Sequence, residues 1–240
     1  MNYLIYLFFA VLPSIIWLFI FLRKDKNPES KRAVLFVFIL GGGAALLAGY
    51  LQSKLTELFG FSVRKEMLLF YFFFYHFIII SFIEEILKFF VVRTTVINNA
   101  EFDEPIDAMI YMIIAALGFA AVENFVYFIR YEGLFGQTVY HYAFYFGFLR
   151  FLGATILHAL SSAVLGFFMA LSFLKIKRRM LFTFTGIFLA TVLHTVYNLF
   201  IISKLERSFL FSSAFLVLFA VFIIYYAFSK LKKIKSICEL

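Results

Sequence analysis

The chain is poor in charge and nearly without cysteine. Cys238 is its only cysteine, so no intrachain disulfide is possible and no C-x-x-C redox or metal site exists. Only 15% of the 240 residues are Asp, Glu, Lys or Arg, whereas 64% are hydrophobic and 38 are phenylalanine. A soluble domain of this length is not normally so apolar. The sequence also lacks the short alternating polar and apolar segments of a transmembrane barrel. No internal repeat or low-complexity linker divides it, so a single domain over residues 1–240 is expected. No Lys-Ser/Thr pair follows the three glycines at 41–43, which excludes a phosphate-cradling loop and leaves close helix packing as their use. No basic residue precedes the first apolar run and no small-residue cleavage pattern follows it, so that run reads as a retained helix, not a cleaved signal peptide.

What is present is a series of long apolar segments, roughly 3–22, 33–51, 67–92, 106–129, 147–174, 180–203 and 208–229. Several reach the roughly 20 residues that span a bilayer. In lipid a spanning segment must satisfy its own backbone hydrogen bonds, so helices are expected. The fold class is therefore an all-α, multi-pass transmembrane bundle of about seven helices. The net charge of +8 invites a nucleic-acid reading, but the basic residues gather in short loops and a tail: Arg23, Lys24, Lys26, Lys31 and Arg32; Lys175, Lys177, Arg178 and Arg179; Lys230, Lys232, Lys233 and Lys235. That is the positive-inside pattern. It favours a lipid bilayer over nucleic acid as the partner and places the N-terminus outside and the C-terminus in the cytoplasm. Loop 93–105 carries little positive charge for the inner side. Its Pro105 suits a first helical turn, and Asp107 suits the positive end of that helix.

Ionisable groups inside the bilayer cost about 2.5–3.5 kcal/mol each even on lenient scales and are functional by default. Segment three carries Glu84, Glu85 and Lys88; segment four, Glu123 and Asn124; segment five, His158, with Ser161 and Ser162 at the next turn; segment six, His194 and Asn198. Helical spacing puts Glu84 and Lys88 on one face, with Glu85 about 100° away. At about 1.5 Å per residue, Glu84 lies ~13 Å from Arg93, Glu123 ~10 Å from Arg130, His158 ~16 Å from Gly147 and His194 ~15 Å from Lys204. Four groups from four segments thus fall at similar depth.

Three carboxylates and two imidazoles at one level form a hydrolytic site. One route is metal-dependent: His158, His194 and Glu123 offer N and O ligands that suit a zinc ion, which acidifies a bound water. The other needs no cofactor: Glu84 or Glu85 acts as general base on water, Asn198, Asn124 or a histidine stabilises the oxyanion, and Lys88 offsets the negative charge. The same buried relay also suits a proton- or ion-coupled transporter, although no inverted half-repeats are seen. A purely structural polar core is the third reading.

At these residues the chain resembles the PrsW family of intramembrane proteases, whose motif layout is shared with the CAAX prenyl endopeptidases. The resemblance rests on EEILK (84–88), on EPIDAMIYMIIAALGFAAVEN (104–124) with Phe119 and Glu123 in a Phe-x-x-x-Glu pattern followed by Asn124, on His158, and on HTVYN (194–198). It covers roughly residues 70–200, close to the core expected at 67–203. It implies a multi-pass endopeptidase of the cell membrane, with Glu84, Glu85, Glu123, His158 and His194 at the active site. It also implies a membrane-tethered protein substrate, which in well-known members is an anti-sigma factor cut on its extracytoplasmic side. The chain departs from the family at Ala108 and Met109, where a glycine is expected after Asp107; this loosens the packing match but touches no proposed catalytic group.

Overall fold

The computed structural model describes residues 3–23, 27, 29–60, 69–96, 102–130, 139–202 and 208–231. Lys24, Lys26, Lys204, Lys232, Lys233, Lys235 and Cys238 lie outside them. Every apolar segment of the sequence is helical over its described residues, and among those residues no strand occurs. The helices are α1 (Tyr3–Leu22), α2 (Lys31–Leu58), α3 (Leu69–Phe74), α4 (Ile83–Thr95), α5 (Pro105–Arg130), α6 (Val139–Leu152), α7 (Ala154–Leu174), α8 (Arg179–Ile202) and α9 (Ser208–Leu231). A π-helical stretch, Tyr75–Phe82, joins α3 to α4. Among the described residues five spans are long and apolar enough to cross a membrane: α1, α2, α5, His141–Leu174 and Ile176–Ile201. The protein is a helical membrane protein.

The segment expected as one helix over 147–174 instead starts at Val139 and is divided at Gly153 into α6 and α7. Gly153 sits where a Cβ would overlap the Tyr197 hydroxyl. The short hydrophobic pattern could not reveal this break, because apolar residues continue through it.

Helix α5 is the axis of the bundle. Its residues from Pro105 to Ala121 are all buried, as befits a helix apolar on every face. It packs against α1, α2, α4 and α7, with α6 and α9 touching its flanks. Its start is capped: Asp107 Oδ2 accepts the backbone N–H groups of Asp103 (3.0 Å) and Glu104 (2.7 Å), a cap that uses the orphan donors of the first turn. Asp107 is therefore a structural residue.

Close packing explains the glycines. A Cβ on Gly41 would run into the Ala115 backbone, and one on Gly118 into the Phe38 backbone, so α2 and α5 cross at backbone contact. Gly42 also faces α5, through Val122, whereas Gly43 has nothing within 4 Å. At Ala108 and Met109, where the family pattern has a glycine, the packing is close. Gly166 of α7 meets that stretch instead, with a Cβ position only 2.6 Å from the Met109 Cα; the glycine stands on the opposite helix.

The outward faces of α1, α2, α8 and α9 carry exposed Leu, Ile, Phe and Tyr side chains, such as Leu4, Phe8, Leu46, Phe184 and Phe222. On a membrane protein these face lipid. The basic loops share one end of the bundle. Asn27 donates to Glu104 (2.6 Å), Tyr111 donates to Glu29 (2.5 Å), and Phe102 packs edge-on against Phe173 (5.5 Å). The start of α2, the start of α5 and the end of α7 are thereby neighbours.

Candidate active site

The five candidate residues come together. Glu84 and Glu85 lie in the first turn of α4, Glu123 on α5, His158 on α7 and His194 on α8. Four helices thus supply one cluster at the middle of the bundle. Its connections fix the role each group can take.

Glu85 is saturated. Its Oε1 accepts from Lys88 Nζ (2.8 Å), Ser161 Oγ (2.9 Å) and His194 Nδ1 (2.9 Å), and its Oε2 from Ser162 Oγ (2.9 Å). Both its side chain and that of Lys88 are fully buried. Spacing alone paired Lys88 with Glu84; the structure pairs it with Glu85, three residues away. Both separations bring side chains close on a helix. What decides is that Ser161, Ser162 and His194 gather Glu85 on the α7/α8 side. Lys88 also lies 4.7 Å from the centre of the Phe119 ring and 3.0 Å from His158 Nδ1.

Glu84 is the opposite case. Its Oε1 accepts from Gln52 Nε2 (2.9 Å), but its Oε2 is buried without a hydrogen-bond partner. That oxygen lies 4.0 Å from His158 Nδ1 and 3.7 Å from His194 Nε2. The two imidazole rings stand edge to face, 4.8 Å apart.

Carboxylates on the far side fix the ring tautomers. His194 donates through Nδ1 to Glu85, which leaves its Nε2 lone pair toward Glu84. His158 donates through Nε2 to Glu123 Oε2 (2.8 Å) and accepts the Lys88 ammonium at Nδ1, since an ammonium has no acceptor. The His194 Nε2 lone pair is therefore left toward the unpartnered oxygen, whereas the His158 Nδ1 lone pair, 4.0 Å from that oxygen, is taken by Lys88. Glu123 is the accessible edge: 39% of its side chain is exposed, against 8% for Glu84.

Glu84, His158 and His194 can each offer one atom to a metal ion, and these atoms lie within 4.8 Å of one another. The carboxylate in this trio is Glu84, whereas the sequence suggested Glu123, which sits on the outer nitrogen of His158. The residues fit a divalent ion. Tetrahedral bonds of about 2.0–2.1 Å set donors about 3.3 Å apart, so small movements close the site around an otherwise orphaned oxygen. The outer-nitrogen carboxylates supply the second layer that metal-binding histidines use. One adjustment is required: Lys88 has to release Nδ1 and stay with Glu85.

The supporting asparagines differ. Both amide hydrogens of Asn124 are committed, to the Ala10 carbonyl (3.2 Å) and Thr155 Oγ1 (3.1 Å), and its Oδ1 accepts from Arg150 Nε. Asn198 is half-buried one turn after His194 and has no hydrogen-bond partner among the described residues. Two residues escaped the sequence reading. Gln52 follows a long apolar run on α2 and carries no charge to flag it. Arg150 belongs to no recognised motif, though the cost of a cation inside YFGFLRFLG is a signal that could have found it.

A polytopic helical bundle that buries two tautomer-fixed histidines around an open carboxylate oxygen has the architecture of an intramembrane hydrolase. The sequence profile of the PrsW family of intramembrane metalloproteases matches residues 29–227, and the chain belongs to that family. It is 29% identical over 230 residues to the Protease PrsW of Bacillus subtilis, covering 95% of this chain and 94% of that protein. It is 26% identical over 218 residues to that of Oceanobacillus iheyensis, covering 90% and 91%. It is 32% identical over 122 residues to that of Geobacillus kaustophilus, about half of each chain. No solved structure matches it. Family membership decides between the peptidase and transporter readings of the buried groups: the chain is a membrane peptidase.

Proposed function

We propose that the protein hydrolyses peptide bonds of membrane-tethered proteins at the cluster of Glu84, His158 and His194. The observation that carries this is the unpartnered Glu84 Oε2 with one ring nitrogen of each histidine within 4.0 Å of it. Buried polar groups, and carboxylates above all, are as a rule satisfied, so this oxygen is placed for a water, a metal ion or a substrate.

The reaction follows from these residues. A water hydrogen-bonded to Glu84 Oε2 transfers a proton to it as the water oxygen attacks the carbonyl carbon of the scissile peptide. The same proton then passes to the departing amine nitrogen as the C–N bond breaks. Glu85 and Glu123 hold the two rings in place, and Asn198 has amide hydrogens free to donate to the developing oxyanion. Lys88 balances the charge of Glu85. Glu84, His158 and His194 would hold a divalent ion, zinc by this ligand set, which would supply Lewis acidity when bound. Glu123 Oε1, which has no partner among the described residues, would then be the carboxylate oxygen left to accept the proton.

The substrate class follows from burial: a chain must reach the site within the bilayer, which suits a membrane-tethered regulator such as an anti-sigma factor. The whole chain acts as one domain of the cell membrane, N-terminus outside, with its site drawn from residues 67–203 and Gln52. The test is cleavage of a single-span reporter that releases a fluorescent protein. Glu84→Gln and His194→Ala are each expected to abolish release while the detergent-solubilised proteins keep the wild-type elution profile. Undiminished release in both sinks the proposal. Elemental analysis is expected to give about one transition metal per chain, and full activity after exhaustive chelation would assign the reaction to the glutamate alone.

A further inference from the structure

We propose that Arg150, which belongs to none of the motifs, is a positioning residue that holds Glu123 against His158, and that the break at Gly153 is what delivers it there. The inference rests on the assignment of Glu123 and His158 to the active site.

One guanidinium engages three α5 positions on one side of that helix. Arg150 Nη2 donates to Glu123 Oε2 at 2.9 Å, Nε donates to Asn124 Oδ1, and the guanidinium carbon lies 4.6 Å from the centre of the Tyr127 ring. Asn124 is itself anchored to α1 and α7, through Ala10 and Thr155. The fork is thus held at both ends, and only 13% of the Arg150 side chain is exposed. Glu123 Oε2 therefore receives two donors, Arg150 Nη2 and His158 Nε2. A partly exposed carboxylate with a single hydrogen bond to a ring would have several rotamers open to it. The second, charged and geometrically rigid partner removes that freedom, and with it the freedom of the imidazole that faces Glu84.

The helix break makes the arrangement possible. In an unbroken helix Arg150 and His158, eight residues apart, would be separated by about 12 Å along the axis and by about 80° around it. Here both reach the same oxygen. The chain turns at Gly153 (φ −114°, ψ −92°) without losing its hydrogen bonds: Gly153 N–H still reaches the Leu149 carbonyl (3.0 Å), and the Gly153 carbonyl still receives Leu157 N–H (2.9 Å). The Tyr197 hydroxyl occupies the space where a Cβ on residue 153 would sit. Tyr197 lies three residues after His194, so the helix that carries one candidate histidine also sets the bend that aims Arg150 at the partner of the other. A largely buried guanidinium in an apolar run is costly in lipid, and a purely packing role does not require it.

The experiment compares wild type, Arg150→Met and Arg150→Lys in two measurements. The first is reporter cleavage. Loss of a group that orients a site histidine typically costs 10–100-fold, so Arg150→Met is expected to lower kcat by that factor and Arg150→Lys, which keeps the charge but not the fork, by less. The second is the ¹⁵N spectrum of histidine-labelled protein. The chain has only four histidines, and the His158 signals are assigned by their disappearance in His158→Gln. Arg150→Met is expected to shift the His158 ring nitrogens and leave those of His194 in place; a role confined to packing α6 would not move them selectively. Arg150→Lys gives the same reading at smaller amplitude should Arg150→Met fail to fold. Unchanged His158 signals, or a kcat within twofold of wild type in Arg150→Met, overturn the proposal. Absence of cleavage by the wild type alongside a shifted His158 signal would sink the assignment of the site instead, leaving the role of Arg150 intact.

Discussion

At the scale of single residues, the two adjacent glutamates have different surroundings and should have different mutational signatures. Glu85 accepts four hydrogen bonds and shares a fully buried ion pair with Lys88. Removing one member of such a pair strands the other and typically costs 3–5 kcal/mol. Lys88→Met is therefore expected to lower the thermal midpoint markedly, and the double variant Lys88→Met/Glu85→Gln to recover part of the loss. Additive effects in that thermal series would contradict the pairing. Glu84, with one satisfied oxygen and one open oxygen, should behave oppositely: Glu84→Gln loses activity with a stability change within about 1 kcal/mol, as expected where no network is broken. If the open oxygen is a ligand, Glu84→Ala also weakens divalent metal binding far more than Gln52→Leu, which removes only the donor to the other oxygen. Metal competition with a chromogenic chelator would read this directly.

At the scale of helices, the site depends on how closely α5 is approached. The α2/α5 crossing is built at backbone contact through Gly41 and Gly118, and α2 brings Gln52 to Glu84. A Gly118→Val variant has no room beside Phe38, and backbone cannot yield as a flexible side chain can. It is expected to be recovered as aggregate on size exclusion, whereas Gly43→Ala, at an open position, should elute as wild type. The π-helical stretch before Glu84 belongs to this scale as well. Such turns are rare and recur at functional sites; here Gln52 Nε2 also approaches the Ile80 carbonyl within it (3.4 Å). One side chain thus contacts both the irregular backbone and the carboxylate that follows it.

At the scale of the whole molecule, the candidate site lies inside a bundle whose outer faces are apolar. A substrate anchored in the same bilayer is held near the site, which raises its effective concentration without any added contact. Cutting the reporter from its membrane anchor is therefore expected to slow cleavage by an order of magnitude or more at equal bulk concentration, measured in proteoliposomes. Equal rates for anchored and soluble reporters would mean that the site is reached from water.

Composition and the length of the apolar runs already determined a helical membrane protein, because lipid offers a backbone no other partner for its hydrogen bonds. The cost of charge in lipid likewise singled out Glu84, Glu85, Lys88, Glu123, His158 and His194, since each stands out against an apolar background on its own. What sequence could not decide was pairing. Lys88 lies within reach of both Glu84 and Glu85 along its helix, and only the serines of α7 and the histidine of α8 select Glu85. Which carboxylate completes the trio with the two histidines, and which merely holds a ring, depends on side chains from four helices meeting in space. Arg150 and Gln52 join the site for the same reason. The bend at Gly153 and the glycine crossing of α2 on α5 bring them in; the glycines at 41–43 signal close packing, but not which helix they meet or which side chains the crossing delivers.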